Sequence, residues 1–518
     1  MAELILAIIG GVDASINLAN RALKTYRAFR TADEGIDEKL VLLEAHWVKL
    51  EVQLNFLKKI SGQLEGGFAQ SQFDLLQKLQ GKLVQATSRI EMLASKGSRK
   101  LKYAVVRDGL DELMAELEAW ESRFDPTWYL IIRMSSVAID SALGDSRQEQ
   151  ATTLGENKSL LDNIHALRNA IRPRTTNNNA IGDRVSINLD ISGLHDATER
   201  AIPFSPAKAI LRKGSTKLLI SETVKPLSGN FAHVKLDVEH LGRILKQIDP
   251  DTFGLLRCHG ILKRRDPSQH LVAVDMIYET PQDSLPPRSL RQLLLEQKPV
   301  SVSALVQMAK QLVRSVSSIH SCDFVHKNVR PENILVFPHG SSSLGPSVLL
   351  GFSQFRHAHF QTSLLGDPAW HRNLYRHPQR QGAFVRERYV MQHDIFSLGV
   401  CLLEIGLWRS FVWYPHDSTN CVPVPGMALG LALSDADFHT VNSTASLRIR
   451  EHLVEVAKRE LPSRLGDMYT DIVLACLNCL EPGNEAFGSE EDLADEDGIL
   501  VGVRFVEKIL TKVNEIFV

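Results

Sequence analysis

The chain has 518 residues, and its 59 Lys and Arg against 61 Asp and Glu give a formal net charge of −2. Apolar residues make up 44% and charged residues 23%, which is the composition of a folded soluble protein and excludes a predominantly disordered chain. The length is sufficient for two or more domains. Because the net charge is close to zero, bulk electrostatics do not favour nucleic acid, and no nucleic-acid partner is expected.

The cysteines indicate neither a disulfide framework nor a metal site. All six lie at or after Cys258. Cys476 and Cys479 form a C-x-x-C within an apolar run, but no second Cys or His pair stands at ligand spacing. Near the N-terminus, Glu3 stands where a secretory signal would carry positive charge. These features predict a cytoplasmic protein that binds no metal.

Residues 1–145 have the apolar periodicity of helices. One stripe recurs at spacings of three and four, as expected for a single buried helix face. Its members are Leu40, Leu43, Trp47, Leu50, Leu54 and Leu57. Similar stripes follow around residues 73–93 and 106–124. Because each stripe needs a partner to be buried, we predict a bundle of four or five helices.

Residues 146–200 are polar, and Arg172-Pro173-Arg174 is followed by a Thr/Asn run. This stretch is interpreted as a linker with a short brace helix over residues 157–171. From residue 201, short apolar runs typical of strands come first and helical patterns later, which predicts a two-lobed α+β unit. The predicted fold class is therefore α plus α+β, with an N-lobe at about 201–280 and a C-lobe at about 285–518.

Four segments of residues 201–518 occur in the order of protein-kinase motifs. They are DFVHKNVRPENILVF at 323–337, VLLGFS at 348–353, YRHPQ at 375–379 and HDIFSLGVCLLEIG at 393–406. They resemble, in turn, the kinase catalytic loop, the strand with D-F-G, the A-P-E segment and the buried helix that carries an aspartate. The resemblance implies a protein-kinase-like fold over this part of the chain.

The residues at the catalytic positions depart from the kinase pattern. Asn328 stands where a kinase has the proton-accepting Asp, and Gly351 stands where D-F-G has its metal-binding Asp. Arg330 replaces the catalytic-loop lysine, whereas Asn333 matches the second metal ligand. Loss of a general base alone costs about 10²- to 10⁴-fold in rate. The remaining degenerate positions are His326, Phe352 and Ser353. We expect a catalytically inactive domain.

The nucleotide-contacting positions are also incomplete. A glycine-rich phosphate loop is expected within residues 204–221, but Gly214 is the only glycine there. Lys217 or Lys225 could represent the strand lysine and Glu239 its helix partner, although ordinary exposed charges explain them equally well. No cofactor is predicted, and ATP binding without turnover stays open. Three positions that support the kinase fold are retained, namely Asp394, His377 and Pro378.

Residues 1–145 resemble the fungal HeLo (prion-inhibition and propagation) domain. The resemblance rests on the apolar start with Gly10 and Gly11, on Tyr26 and Phe29, and on LVLLEAHWVKLEVQL at 40–54. A helical bundle joined to a degenerate kinase is similar in architecture to mixed-lineage-kinase-like necroptosis proteins. This implies an executioner bundle that forms homo-oligomers at membranes in programmed cell death.

The first helix and a basic stretch are the candidate membrane contacts. Their residues are Leu4, Ile5, Ile8, Ile9, Val12 and Ile16, with Lys96, Arg99, Lys100 and Lys102 against anionic lipid. Alternatively, the helix is a central element of the bundle, and the basic stretch is a solvated loop.

Three functions are therefore compared. The first is a signalling pseudokinase that binds a protein partner and controls a membrane-acting bundle, so that a cytoplasmic protein is recruited conditionally to membranes. The second is a cytosolic interaction scaffold without membrane activity. The third is an atypical active protein kinase.

Overall fold

The chain divides into two compact units, residues 1–165 and 166–518. The structure is a computed structural model that describes residues 2–27, 34–64, 66–95, 110–111, 113–114, 117, 131–132, 138–143, 160–171, 187–189, 197–212, 214, 217–225, 231–281, 284–338, 344–353, 355–357, 365–385, 387–415, 422–431, 443–481, 483–484, 486–487 and 499–517.

The described part of the first unit is helical. Its long helices are α1 (Ala2–Arg27), α2 (Glu34–Ile60) and α3 (Gly66–Ser95). Residues 138–143 are also helical. The whole leucine and tryptophan stripe predicted on α2 is buried, and α1 packs against both α2 and α3. The helical character predicted for this part of the chain is confirmed.

Helix α1 buries one face and leaves another accessible. Its buried residues are Ile8, Val12, Ser15, Ala19, Ala22, Leu23 and Tyr26. Ile8 and Val12 therefore face the interior of the unit, so that contact with lipid would require α1 to leave this packing. Leu4, Ile5, Ile9 and Ile16 are half-buried. Leu6 is 67% exposed.

By length and composition, α1 could cross a membrane, and 22% of its most apolar 18-residue window is buried. A core helix of a soluble protein or an N-terminal signal sequence meets the same criteria. Polar contacts from α2 and α3 also hold α1: Gln80 donates to the Gly11 carbonyl at 2.8 Å, and Lys58 Nζ lies 2.6 Å from an Asp13 carboxylate oxygen. Arg27 Nε lies 2.7 Å from a Glu44 carboxylate oxygen.

The division between the two units falls within helix α4 (Leu160–Ile171). In the second unit this helix is followed by an antiparallel sheet in the order β1-β2-β3-β5-β4. The strands are β1 (Thr198–Ala201), β2 (Lys208–Leu211), β3 (Leu218–Val224), β4 (Cys258–Arg265) and β5 (Leu271–Glu279). Helices α5 (Phe231–Gln247) and α6 (Pro250–Phe253) lie between β3 and β4 in the chain. Strand β5 lies between β3 and β4, and its residues 273–278 are all buried. This is expected of a central strand, because both of its faces are covered.

The stretch predicted as a linker contributes to this sheet. Besides α4, which starts at residue 160, it supplies β1 from Thr198 and residues 187–189, which pair with β4. The folded N-lobe thus starts before residue 201, because hydrogen bonds to the sheet edge order short segments that show little apolar pattern of their own.

The C-lobe is built mainly from helices with short strands between them. Its elements are β6 (Arg288–Ser289), α7 (Leu290–Glu296), α8 (Val302–Ser321), β7 (Phe324–Val325), β8 (Ile334–Val336), β9 (Ser347–Leu349), β10 (Arg356–His357), β11 (Leu365–Asp367), α9 (Trp370–Asn373), β12 (Gly382–Phe384), α10 (Met391–Leu407), β13 (Val412–Trp413), β14 (Val424–Pro425), α11 (Ser443–Glu460), α12 (Pro462–Leu477), α13 (Ile499–Phe505), a π-helical turn (Val506–Leu510) and α14 (Thr511–Asn514).

Every residue of α10 is buried, so this helix is the centre of the C-lobe, where it packs against α8, α11 and α12. The close approach to α12 depends on Gly399, where an added Cβ would lie 2.6 Å from Cys476 Cβ. The order of strands first and helices later gives the two-lobed arrangement, and the predicted fold class is confirmed.

Candidate functional site

Asp394, at the start of α10, holds the segment that corresponds to the kinase catalytic loop. Its carboxylate accepts hydrogen bonds from the backbone N–H groups of His326 (2.7 Å) and Lys327 (2.8 Å). His320 Nε2 lies 3.1 Å away, and the Tyr389 hydroxyl donates at 2.7 Å. Burial alone would raise the pKa of Asp394, but these hydrogen bonds and the nearby histidines lower it overall. An ionised Asp394 therefore fixes the backbone of this loop.

The Asn328 amide joins this loop to the segment equivalent to D-F-G, and the Asn333 amide donates a hydrogen bond within the loop. Asn328 Nδ2 donates to the Gly351 carbonyl (3.1 Å) and to Ser353 Oγ (3.3 Å), while Asn333 Nδ2 donates to the Asn328 carbonyl (2.7 Å). A neutral amide cannot accept a substrate proton at the position of the catalytic base. Here the Asn328 side chain instead fixes the position of residues 351–353 through its hydrogen bonds to Gly351 and Ser353.

Gly351 is required by both its backbone and its surroundings. Its φ is +99°, and a Cβ built on it would lie 2.3 Å from Asn333 Cγ and 2.7 Å from Asn333 Cβ. Real Cβ contacts are essentially never shorter than 3.0 Å. An aspartate at this position, as a kinase would have, therefore does not fit unless Asn333 moves.

Glu222 on β3 is a site residue that sequence reasoning missed. In kinases the lysine that contacts the nucleotide phosphates lies on the third strand. Here the buried Glu222 on the third strand accepts the Gly351 N–H at 3.2 Å. Burial raises the pKa of Glu222 to about 7, although hydrogen bonds from the backbone of Gly351, Ser353 and Phe352 oppose the shift. A single charged residue within the apolar run LLISETV was the available signal.

A cluster of aromatic rings lies near Glu222. The Phe352 ring lies 5.0 Å from the His326 ring and 6.5 Å from the Tyr278 ring, measured between centroids. All three residues are buried, and burial lowers the pKa of His326 to about 4. A neutral imidazole is thus part of this apolar packing.

The first hairpin of the sheet reaches across to the C-lobe. Its loop, residues 202–207, contains Pro203 and Pro206 but no glycine, and Phe204 has a φ of +57°. The Phe204 ring lies 4.9 Å from the Tyr414 ring, and Ser289 Oγ donates to the Pro203 carbonyl at 2.5 Å. Gly214 follows β2, so it lies outside the loop that would cover phosphates. The hairpin joins the two lobes where a kinase holds its phosphate loop.

The structure does not bring the candidate nucleotide-binding charges together. Lys217 precedes β3 and pairs with Glu279 at 3.3 Å, whereas Lys225 follows β3 and is exposed. Glu239 pairs with Lys263 on β4 at 2.8 Å. Lys217 and Lys225 thus flank opposite ends of β3, whereas Glu222 within the strand accepts the Gly351 N–H.

A buried ionic cluster ties the loop to the rest of the C-lobe. Arg291 has no exposed side-chain surface and lies 2.9 Å from both Glu332 and Glu404. It also donates to the Tyr375 hydroxyl. Burial raises the pKa of Glu332, but Arg291 and the half-buried Arg330 outweigh it and lower that pKa to about 2. Arg330 thus supplies positive charge beside a structural carboxylate.

The A-P-E-like turn is held without its glutamate. Pro378 begins a short 3₁₀ turn, Pro378–Arg380, and His377 Nδ1 accepts the Gln379 N–H at 3.4 Å. His377 Nε2 faces Glu481 at 3.5 Å, and Arg450 pairs with Glu481 at 3.0 Å. The carboxylate of Glu481, which follows α12 in the chain, therefore lies near this turn.

The basic residues predicted to contact anionic lipid are Lys96, Arg99, Lys100 and Lys102. They lie outside the described residues. Among the residues that the structure describes, no group of three or more His, Cys, Asp or Glu side chains could hold a metal ion.

Comparison with known proteins supports a kinase-like region. No family model matches the chain. A probable serine/threonine-protein kinase of Dictyostelium discoideum is 25% identical over 118 residues, which is 23% of this chain. The match spans 6% of that kinase's length. This similarity covers a short stretch, and together with the two-lobed fold it supports a kinase-like region within the chain.

Proposed function

We propose that the second unit is a signalling domain that has kept the kinase fold without phosphoryl transfer. The observation that carries this proposal is the contact between Glu222 and the backbone of residues 351–353. Glu222 on β3 supplies no positive charge where a kinase lysine would attract phosphates, and Asn328 and Gly351 supply neither a base nor a metal ligand. What remains is a rigid structure suited to binding a protein partner.

The direct test incubates the full chain with Mg²⁺, labelled ATP and a general acceptor protein. We expect no transfer above the level of an Asn333→Ala variant, because the reaction lacks its base and one metal carboxylate. Transfer that depends on Mg²⁺ and is lost in Asn333→Ala would instead establish an atypical active kinase.

A second proposal is that the kinase-like unit restrains the N-terminal helices, which act at membranes after release. It is supported by α1, which is long and apolar enough to enter a bilayer and has 22% of its apolar window buried. The resemblance to the HeLo domain and the pairing of a helical bundle with a degenerate kinase also favour this role, with homo-oligomers and cell death as its outcome.

Membrane action is tested by dye release from anionic vesicles with the full chain. Leu6, 67% exposed on α1, is replaced by glutamine; Val84, 46% exposed on α3, is the matched control. We expect Leu6→Gln to weaken vesicle binding about tenfold to a hundredfold, because burying one large aliphatic side chain is worth roughly 1.5–3 kcal/mol. Val84→Gln should bind as the unmodified chain does. If no variant binds vesicles or releases dye, a cytosolic scaffold becomes the better interpretation.

A further inference from the structure

Residues 187–189 form a parallel β-bridge at the edge of the N-lobe sheet. Strand β4 is the last in the sheet order, so one of its edges faces away from β5. On that edge the Leu189 N–H donates to the Ile261 carbonyl at 2.9 Å, and the Ile261 N–H donates to the Ile187 carbonyl at 2.8 Å. The pairing is parallel, in a sheet that is otherwise antiparallel. We call residues 187–189 the strap.

Two glycines far apart in the sequence leave room for the strap. A Cβ added to Gly242 on α5 would lie 2.6 Å from Ile187 Cδ1. A Cβ added to Gly260 on β4 would lie 2.5 Å from Leu189 Cγ and 2.8 Å from the Ile187 carbonyl oxygen. Any other residue at either position would overlap the strap. We call the space that the strap occupies its seat, and this space depends on the two glycines.

The side chains of the strap enter the N-lobe core. Ile187 is buried, and Leu189 packs against the apolar cluster of Ile210, Leu219, Leu262 and Ile277. Asn188 between them is exposed. Leu189 is only half-buried, and the strap is three residues long. Short, partly exposed elements of this kind open at lower free energy than core strands.

We propose that the strap is a detachable segment whose attachment to β4 depends on the position of α5. Ile187 lies against α5 through Gly242 and against β4 through Ile261, so a shift of α5 toward β4 closes the space that holds it. Release frees residues 187–189 from the sheet edge. The regulatory consequence, that release activates the N-terminal helices, rests on the proposed membrane function.

The coupling is measured by hydrogen exchange on the full chain. The Ile261 amide is the reporter, since its hydrogen bond is made to the strap. We expect Gly242→Ala to accelerate its exchange by about tenfold to a hundredfold, as overpacking at a tight contact does. Gly81→Ala is the matched control, because Gly81 is also helical and a Cβ there meets nothing within 4 Å.

A second substitution separates strap release from general misfolding. Ile187→Val removes the Cδ1 atom that overlaps the new methyl group, and the next atom, Cγ1, lies at an ordinary 3.6 Å. The double variant Gly242→Ala/Ile187→Val should therefore exchange at Ile261 like Ile187→Val alone. Unchanged exchange in Gly242→Ala, or a loss of protection that Ile187→Val does not reverse, would overturn the proposal.

Dye release from vesicles of phosphatidylcholine and phosphatidylserine tests the regulatory consequence. Gly242→Ala should release more dye than the unmodified chain, and the double variant should release dye like Ile187→Val alone. Faster exchange without a change in dye release, in a chain that does release dye, would refute regulation by the strap. If no variant releases dye, the membrane function fails, while the exchange data still decide the coupling.

Discussion

Replacing Gly351 by alanine is expected to destabilise the kinase-like unit by about 2–6 kcal/mol. A non-glycine residue at positive φ costs about 1–3 kcal/mol, and forcing a methyl group into the Asn333 side chain adds about 1–3 kcal/mol. Gly214→Ala is the matched control: its φ is also positive, at +76°, but an added Cβ meets nothing within 4 Å. Urea denaturation of the full chain compares the unfolding transitions of the two variants.

The difference between the two variants isolates the overlap with Asn333 from the backbone strain. A difference below about 0.5 kcal/mol, the usual range of a surface substitution, would mean that Asn333 moves aside at little cost. A large difference would also mean that a metal ligand cannot be restored at position 351 by a single substitution. Gly351→Asp carries the same Cβ, so it would disturb the loop before its carboxylate could bind Mg²⁺.

Replacing Glu222 by glutamine is expected to change how the stability of the kinase-like unit depends on pH. The pKa of Glu222 rises from its ordinary 4.5 to about 7 in the folded chain because the side chain is buried. Between these values the folded state binds the proton and the unfolded state does not, so the stability falls as the pH rises. Each pKa unit corresponds to about 1.4 kcal/mol, giving a loss of about 3 kcal/mol by pH 8.

Glu222→Gln removes this ionisation and keeps a side chain of the same shape. Urea denaturation at pH 5 and pH 8 should find the variant about 2–3 kcal/mol more stable at pH 8, relative to the unmodified chain, than at pH 5. The comparison between variants cancels titrations that they share, including that of His326. An equal difference at both pH values would show that Glu222 is already ionised at pH 5.

The two predictions concern opposite sides of one cleft. Glu222 approaches residues 351–353 from the N-lobe, and Asn333 packs against Gly351 from the C-lobe. Both describe a cleft whose polar groups bond to each other across the space where a kinase would place nucleotide phosphates and metal.

The amino-acid sequence by itself determined the helical start and the kinase-like order of motifs. Apolar periodicity is local, so the stripe from Leu40 to Leu57 could be recognised without a structure, and all its members are buried. The replacements at Asn328 and Gly351 could also be read directly, since they stand at fixed positions within short motifs.

Only the tertiary structure decided what fills the cleft and what lies on the sheet edge. Glu222 meets Gly351 across 129 positions of the chain, and Gly242 and Gly260 shape a seat for a strap that begins at Ile187. Such contacts leave no periodic pattern because each partner lies in a different element. Their geometry depends on how β3, β4 and α5 pack, and this packing is set by the whole core of the unit rather than by neighbouring residues.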